Sequence, residues 1–278
     1  MRRIILTAVT VLITAVSSFA QRDTIKILAI GNSFSEDAVE DHLYGLAREE
    51  GITLIIGDMY KGRCSIERHV RNLREDIAEY KYRKIDAEGN KTETVDYTLE
   101  KALTDEDWDY VSFQQSSPNS GFPETYDLLP ELVEYVKARV PEDAVLMFHQ
   151  TWAFSKDSPH KEYYRYDNDQ LKMFNAIVSA VSQVIPEIED IKIVIPAGTA
   201  IQNARTSILG DDLTRDGHHL SRPHGRYVAS CTWLQAVLGK NPVGNKYCPE
   251  GMTRKECRAA QKAARKAFKR PNEMSRIR

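Results

Sequence analysis

The 278-residue chain has little cysteine, and what it has is poorly placed for metal binding. Its four cysteines, Cys64, Cys231, Cys248 and Cys257, match no zinc-ligand spacing, so a cysteine metal centre is excluded. A strong charge of either sign is also missing. Lys and Arg total 38 against 40 Asp and Glu, a formal charge of −2. Such a balance gives no general attraction to nucleic acid or to an anionic membrane, and neither is expected as a partner. Long apolar runs are absent apart from one near the start, Ile4 to Val16, which is too short to span a bilayer comfortably. No internal repeat or low-complexity tract is present.

The single apolar run lies in "MRRIILTAVTVLITAVSSFA". Arg2 and Arg3 precede it and Ser18-Phe19-Ala20 closes it, the pattern of a secretory signal peptide cut before Gln21. Residues 1–20 are therefore expected to be removed, and the protein to be exported to a periplasm or the cell exterior. No cysteine follows the cleavage point, so no lipid anchor is expected there, and no integral membrane segment remains. Loss of Arg2 and Arg3 makes the remainder two charges more negative. That remainder is long enough for one sizeable α/β domain. Export permits disulfides. Cys248 and Cys257 are the candidate pair because they are close in sequence, whereas Cys231 sits in an apolar helical stretch and is expected to be buried.

Strand and helix patterns alternate along the chain. Five strands are predicted: Ile25–Ile30, "GITLIIGDM" from Gly51, "DWDYVSFQQ" from Asp107, "DAVLMFHQ" from Asp143 and "IKIVIPAG" from Ile191. Helical spacing covers Asp37–Glu50, Ile66–Tyr80, Thr125–Arg139, Asn168–Ile185 and Arg222–Leu238. This alternation predicts an α/β fold, a flavodoxin-like three-layer sandwich around a central parallel sheet. "YKYRKIDAEGNKTETVDYTL", residues 80–99, alternates around Glu88-Gly89-Asn90 and reads as an inserted β-hairpin. The main domain is expected over residues 21–245. Residues 246–278 are expected to be a basic tail, a solvated surface helix that then frays.

In open parallel sheets the ligand site lies at the carboxyl ends of the strands. The first such end is "IGNSFSEDAVEDHL". An apolar strand reaches Gly31, a residue that permits a sharp turn, and a helix follows with acidic residues in its early part. Ser33 and Ser35 fall near the helix N-terminus, where each can be a reactive group or a simple N-cap. The second informative stretch is "LTRDGHHLSRPHGRY". An Asp three residues before a His can orient the imidazole, and the imidazole can take a proton from a serine hydroxyl. The same residues can also be ordinary loop groups, and Asp216, His218, His219 and His224 form a sequence cluster that suggests metal. No partner ligand motif accompanies that cluster, so no metal site is assigned.

Gly31-Asn32-Ser33-Phe34-Ser35 resembles the Gly-Asp-Ser-Leu block of the GDSL/SGNH hydrolases, and Asp216-Gly217-His218-His219-Leu220 resembles their terminal Asp-x-x-His block. Together the two blocks bracket nearly the whole domain. The resemblance implies Ser33 as nucleophile, His219 as general base and Asp216 as its orienter; exchanging His218 with His219 is the main alternative register. It also implies an oxyanion hole built from the Ser33 backbone N–H, the Gly62 backbone N–H in "YKGRCSIERHV", and a side-chain amide. The usual Gly-x-Asn-Asp block is absent, and the third strand ends instead in "FQQSSPNSG". Gln114, Gln115 or Asn119 can supply the amide; Gln115 is favoured for its place at the strand end, with Asn119 close behind. Asn32 replaces the commoner Asp of the block.

Other strand ends carry polar and aromatic groups. Gln114, Trp152, Gln202 and Arg205 are candidate substrate contacts, Trp152 for stacking on a sugar and Arg205 for a carboxylate. Residues 155–169, polar and rich in tyrosine, are a candidate binding loop. The activity implied is an exported serine esterase that needs no cofactor, acting on an acylated carbohydrate or another small ester, and a monomer is expected. A lipid or small-ester hydrolase, and a non-catalytic glycan-binding protein on the same fold, remain as alternatives.

Overall fold

The computed structural model describes residues 24–278. The expected signal peptide, residues 1–20, lies outside the described residues. The strands are β1 (Thr24–Gly31), β2 (Thr53–Tyr60), β3 (Tyr80–Ile85), β4 (Lys91–Tyr97), β5 (Tyr110–Phe113), β6 (Val145–His149) and β7 (Ile191–Ile195). They form one sheet in the order β4-β3-β2-β1-β5-β6-β7. The segment β2-β1-β5-β6-β7 is parallel, as the near-continuous apolar runs require: Ile27, Leu28, Ala29 and Ile30 are all buried. The predicted hairpin is present. β3 pairs antiparallel with both β2 and β4, so the insertion widens the main sheet. Its outer strand, β4, is exposed along most of its length and rich in charge, which discourages edge-to-edge pairing.

The helices are α1 (Ser33–Val39), α2 (Leu43–Glu49), α3 (Ile66–Arg74), α4 (Leu99–Leu103), α5 (Leu129–Lys137), α6 (Gln170–Val184), α7 (Ala197–Arg205), α8 (His224–Leu238) and α9 (Arg254–Lys269). α8 packs against α1, α2, α7 and α9, and α3 packs against α4 and α5. α8 is buried from Gly225 to Val237, which explains its lack of a polar stripe.

Three expectations need correction. The predicted helix Asp37–Glu50 is two helices. Between them Asp41 turns to the Arg226 guanidinium at 2.9 Å and His42 Nε2 sits 2.7 Å from the Arg222 carbonyl. The helix from Ile66 stops at Arg74, well before Tyr80, because Asp76 adopts a left-handed φ of 46° and the Ile77 N–H returns to the Asn72 carbonyl. Lastly, the C-terminal segment is neither solvated nor frayed. α9 buries Ala259, Ala260, Ala263, Ala264 and Ala267 against α7 and α8; small side chains let these helices approach closely. A capping box of Thr253 and Glu256 starts it. Beyond it, the Ser275 N–H donates to Asn203 Oδ1, the Ile277 N–H to Thr206 Oγ1, and Ile277 is buried. The Cys248–Cys257 disulfide forms as expected, and Cys231 is buried.

Candidate active site

Gly31 ends β1, and its role is space more than backbone freedom. A Cβ there would lie 2.7 Å from Gln114 Cδ and 2.7 Å from Ser35 Oγ. Asn32 then caps α1: its Oδ1 accepts the Phe34 N–H at 3.0 Å and a Gln114 Nε2 hydrogen at 2.7 Å, while its Nδ2 donates to the Cys64 carbonyl at 3.0 Å. This last bond explains why an amide stands where the related block has Asp, since a carboxylate cannot donate. With the cap supplied by Asn32, neither serine is needed as one. Ser35 is buried and donates to Asp58 Oδ1 at 2.8 Å; its Oγ also lies 2.8 Å from the Asn32 carbonyl. Burial, and then the Glu40 carboxylate beside it, raise the Asp58 pKa well above the ordinary range. Ser33 is different: its Oγ lies 2.9 Å from His219 Nε2.

The other side of His219 faces Asp216. Nδ1 lies 2.6 Å from Asp216 Oδ2, and the His219 backbone N–H donates to Asp216 Oδ1 at 2.8 Å. The consistent tautomer has the proton on Nδ1, leaving the Nε2 lone pair for the Ser33 hydroxyl. Burial opposes ionisation of Asp216, but hydrogen bonds from the His219 ring and from the His219 and His218 backbones prevail and hold its pKa down to about 2. His218 does not occupy the alternative register. Its Nδ1 is 3.2 Å from Asp216 Oδ1 without a hydrogen-bond alignment. Burial, reinforced by His219, lowers its pKa to about 4.

The loop carrying these groups is braced from several sides. Gly217 has φ 89°, a conformation favouring glycine, and its carbonyl accepts the Ser155 N–H at 2.8 Å. The Trp152 indole N–H donates to the His218 carbonyl at 2.8 Å, and the Leu220 N–H donates to Asp37 Oδ2 at 2.7 Å. Asp37 is fully buried between Arg226, at 2.5 Å, and Arg215, at 3.1 Å. This carboxylate links α1 to the His219 loop. In the sequence Asp37 is only one of the acidic residues early in a helix. The available signal was Arg226, the one Lys or Arg in the largely apolar α8, which requires a buried partner.

Ser33, Asp216 and His219 open into a cleft of about 890 Å³, which Gly62, Asn119 and the segment around His160 also line. Asn119 Oδ1 accepts a hydrogen from Arg165 Nη1 at 2.8 Å, so the amide Nδ2 retains its donors. Residues 159–162 and Arg165 border the cleft, as expected of the 155–169 loop. Gly62 is an ordinary turn position by its backbone; the neighbouring Arg63 takes the left-handed φ of 61°.

Several predicted contacts lie beneath the cleft and need correction. Gln115 is buried; its Nε2 donates to the Thr125 carbonyl at 2.7 Å and to Thr125 Oγ1 at 3.2 Å, and its Oε1 accepts from Ile66 N at the start of α3 and from Ser116 N. Those bonds leave it no donor for an oxyanion. Gln114 is buried and holds Asn32. Trp152 is fully buried, stacked on Phe34 with ring centroids 4.1 Å apart, so it presents no face to a sugar. Gln202 is buried between Gln170 and Arg205. Arg205 is buried too, with Nε 2.7 Å from Asp211 Oδ1 and Nη2 donating to the Ala153 carbonyl; it is unavailable to a ligand carboxylate.

Asp216, His218 and His219 offer ligand atoms within 4.8 Å of one another. The Nδ1 of His219 and both oxygens of Asp216 are, however, already engaged within the loop.

The model of a protein family described as a domain of unknown function, DUF4886, matches residues 26–267. A DUF4886 family protein from Bacteroides uniformis, known by crystal structure, is 51% identical, with a TM-score of 0.89 over 91% of this chain and 98% of that one. Axe2, an acetyl-xylooligosaccharide esterase from Geobacillus stearothermophilus, shares the fold at 12% identity, with a TM-score of 0.50 over 76% of this chain and 93% of that one. No curated protein matches the chain. The matched residues take in all of the sheet but the first two residues of β1, together with both halves of the site, and the chain belongs to the DUF4886 family.

Proposed function

We propose that the protein is a serine esterase of the SGNH type, exported from the cytoplasm, that removes acyl groups from a carbohydrate. The continuous line from Ser33 Oγ through the His219 ring to Asp216 carries this reading. Ser33 attacks the ester carbonyl as His219 Nε2 takes its proton. The tetrahedral oxyanion is received by the backbone N–H groups of Ser33 and Gly62 and by Asn119 Nδ2. His219 then protonates the departing alcohol, leaving an acyl group on Ser33. Water, deprotonated by the same nitrogen, releases the acid. Asp216 keeps the Nδ1 proton in place and offsets the imidazolium charge. No cofactor takes part in these steps. The polar rim of the cleft suits a sugar better than a lipid chain, and the fold likeness to an acetyl-xylooligosaccharide esterase supports the same choice. Hydrolysis of 4-nitrophenyl acetate by the purified protein tests the activity. Turnover lost in Ser33→Ala and in His219→Ala is expected; absence of turnover in the unsubstituted protein would overturn the reading.

A further inference from the structure

The cleft holds three cations that no carboxylate neutralises. Arg63, Lys161 and Arg165 all line it, and among the described residues none forms an ion pair. They come from two separate segments: Arg63 from the turn between β2 and α3, the other two from the 155–169 loop. Arg63 is exposed and holds a left-handed φ of 61°, a conformation better suited to glycine, so a long cation is kept there at a backbone cost. Arg165 is preset. Its guanidinium lies 4.1 Å from the Phe122 ring centroid, and Nη1 donates to the Pro118 carbonyl and to Asn119 Oδ1. Nε and Nη2 make no protein hydrogen bond among the described residues. Two carboxylates border the same space. Asp216 is held by His219, which leaves Glu162 alone against three positive charges.

We propose that the cleft selects acylated sugars that carry a carboxylate, with Arg63, Lys161 and Arg165 as the recognising cations. This inference rests on the esterase reading above and names its substrate class. A sugar carboxylate near the ester gives each cation a partner that water alone otherwise supplies, and guanidinium groups match a carboxylate in two-point geometry. The carboxylate directs binding while the ester is presented to Ser33.

The test uses an acetylated oligogalacturonide and the same compound with its carboxyls methyl-esterified. The unsubstituted protein should show kcat/KM higher by roughly tenfold or more for the free acid at low salt, a bias that shrinks as salt rises. The double variant R63Q/K161Q should lose most of that bias. Both residues lie at the surface, and thermal melting checks that the variant folds. Equal rates on the two compounds, or a bias untouched by the double variant, would overturn the proposal. Calorimetric binding of an unacetylated oligogalacturonide separates the two claims. Salt-sensitive binding without hydrolysis of any ester would leave the anion site standing and remove the esterase. Ester hydrolysis with neither bias nor binding would do the reverse.

Discussion

The rim of the cleft and the layer just beneath it contain the same kinds of residue in opposite states. Beneath the rim, Ser35 is bonded to Asp58, Gln115 to Thr125 and α3, and Arg205 to Asp211 and Ala153. At the rim, among the described residues, the Ser33 hydroxyl is bonded to an imidazole, Asn119 keeps its amide donors, and Arg63 and Lys161 have no ionic partner. A polar side chain near a strand end is therefore not functional by position alone. What separates the two layers is whether the protein has already used its hydrogen-bonding capacity. Buried polar groups need partners, and the partners they find fix their role.

The widest gap should separate the two serines. Ser33→Ala is expected to lower kcat for 4-nitrophenyl acetate by about 10³-fold or more with little change in melting temperature. Ser35→Ala should instead destabilise the fold by about 1–3 kcal/mol, by leaving buried Asp58 without its donor, while folded protein stays active. Denaturant titration beside kinetics reads both, and the reverse pattern would invert the contrast. The two amides make the next pair. Asn119→Ala should reduce kcat by about 10²-fold through loss of an oxyanion donor. Gln115→Ala should lower stability and leave kcat per folded molecule nearly intact. A larger kcat loss in the Gln115 variant would return the oxyanion role to the deeper layer.

Asp37→Asn sharpens the comparison within the supporting layer. Removing a charge buried between two guanidinium groups should cost about 3 kcal/mol in urea unfolding. Activity should fall as well, since the Leu220 N–H that steadies the His219 loop donates to Asp37.

The smallest effect concerns pH. His149 is fully buried with neither ring nitrogen bonded among the described residues, and burial pushes its pKa down to about 3 from 6.5. Below pH 6.5 the unfolded chain binds this proton and the folded one does not. The resulting stability is thus complete above pH 6.5 and declines as pH falls from there toward 3. Asp216, with its pKa near 2, contributes stability above the ordinary carboxylate range, which is lost only as pH falls toward that value. His149→Leu should flatten the decline of melting temperature between pH 6.5 and 4. An unchanged slope would assign the acid sensitivity elsewhere.

The two ends of the site were legible in the sequence because each is short and local. A strand, a glycine and a serine at a helix start fit within a few residues, and so does an Asp three positions before a His. Their place at strand or loop ends follows from the parallel α/β pattern, and their order is what the resemblance to the GDSL/SGNH blocks implies. The middle was not legible. Gln114, Gln115 and Asn119 are similar amides at one strand end, and only the positions of Asn32, Thr125 and Arg165 decide which donor faces the cleft. Trp152 is illegible for a related reason: strand-end position does not say that Phe34 covers its ring. In the tail, charge on the outer face of α9 obscures its alanine stripe, whose packing depends on helices distant in sequence.

The most direct measurement is labelling with a fluorophosphonate probe followed by peptide mapping. The account predicts one modified serine, Ser33, with labelling abolished in Ser33→Ala and retained in Ser35→Ala. Modification at Ser35, or no labelling of well-folded protein, would contradict it.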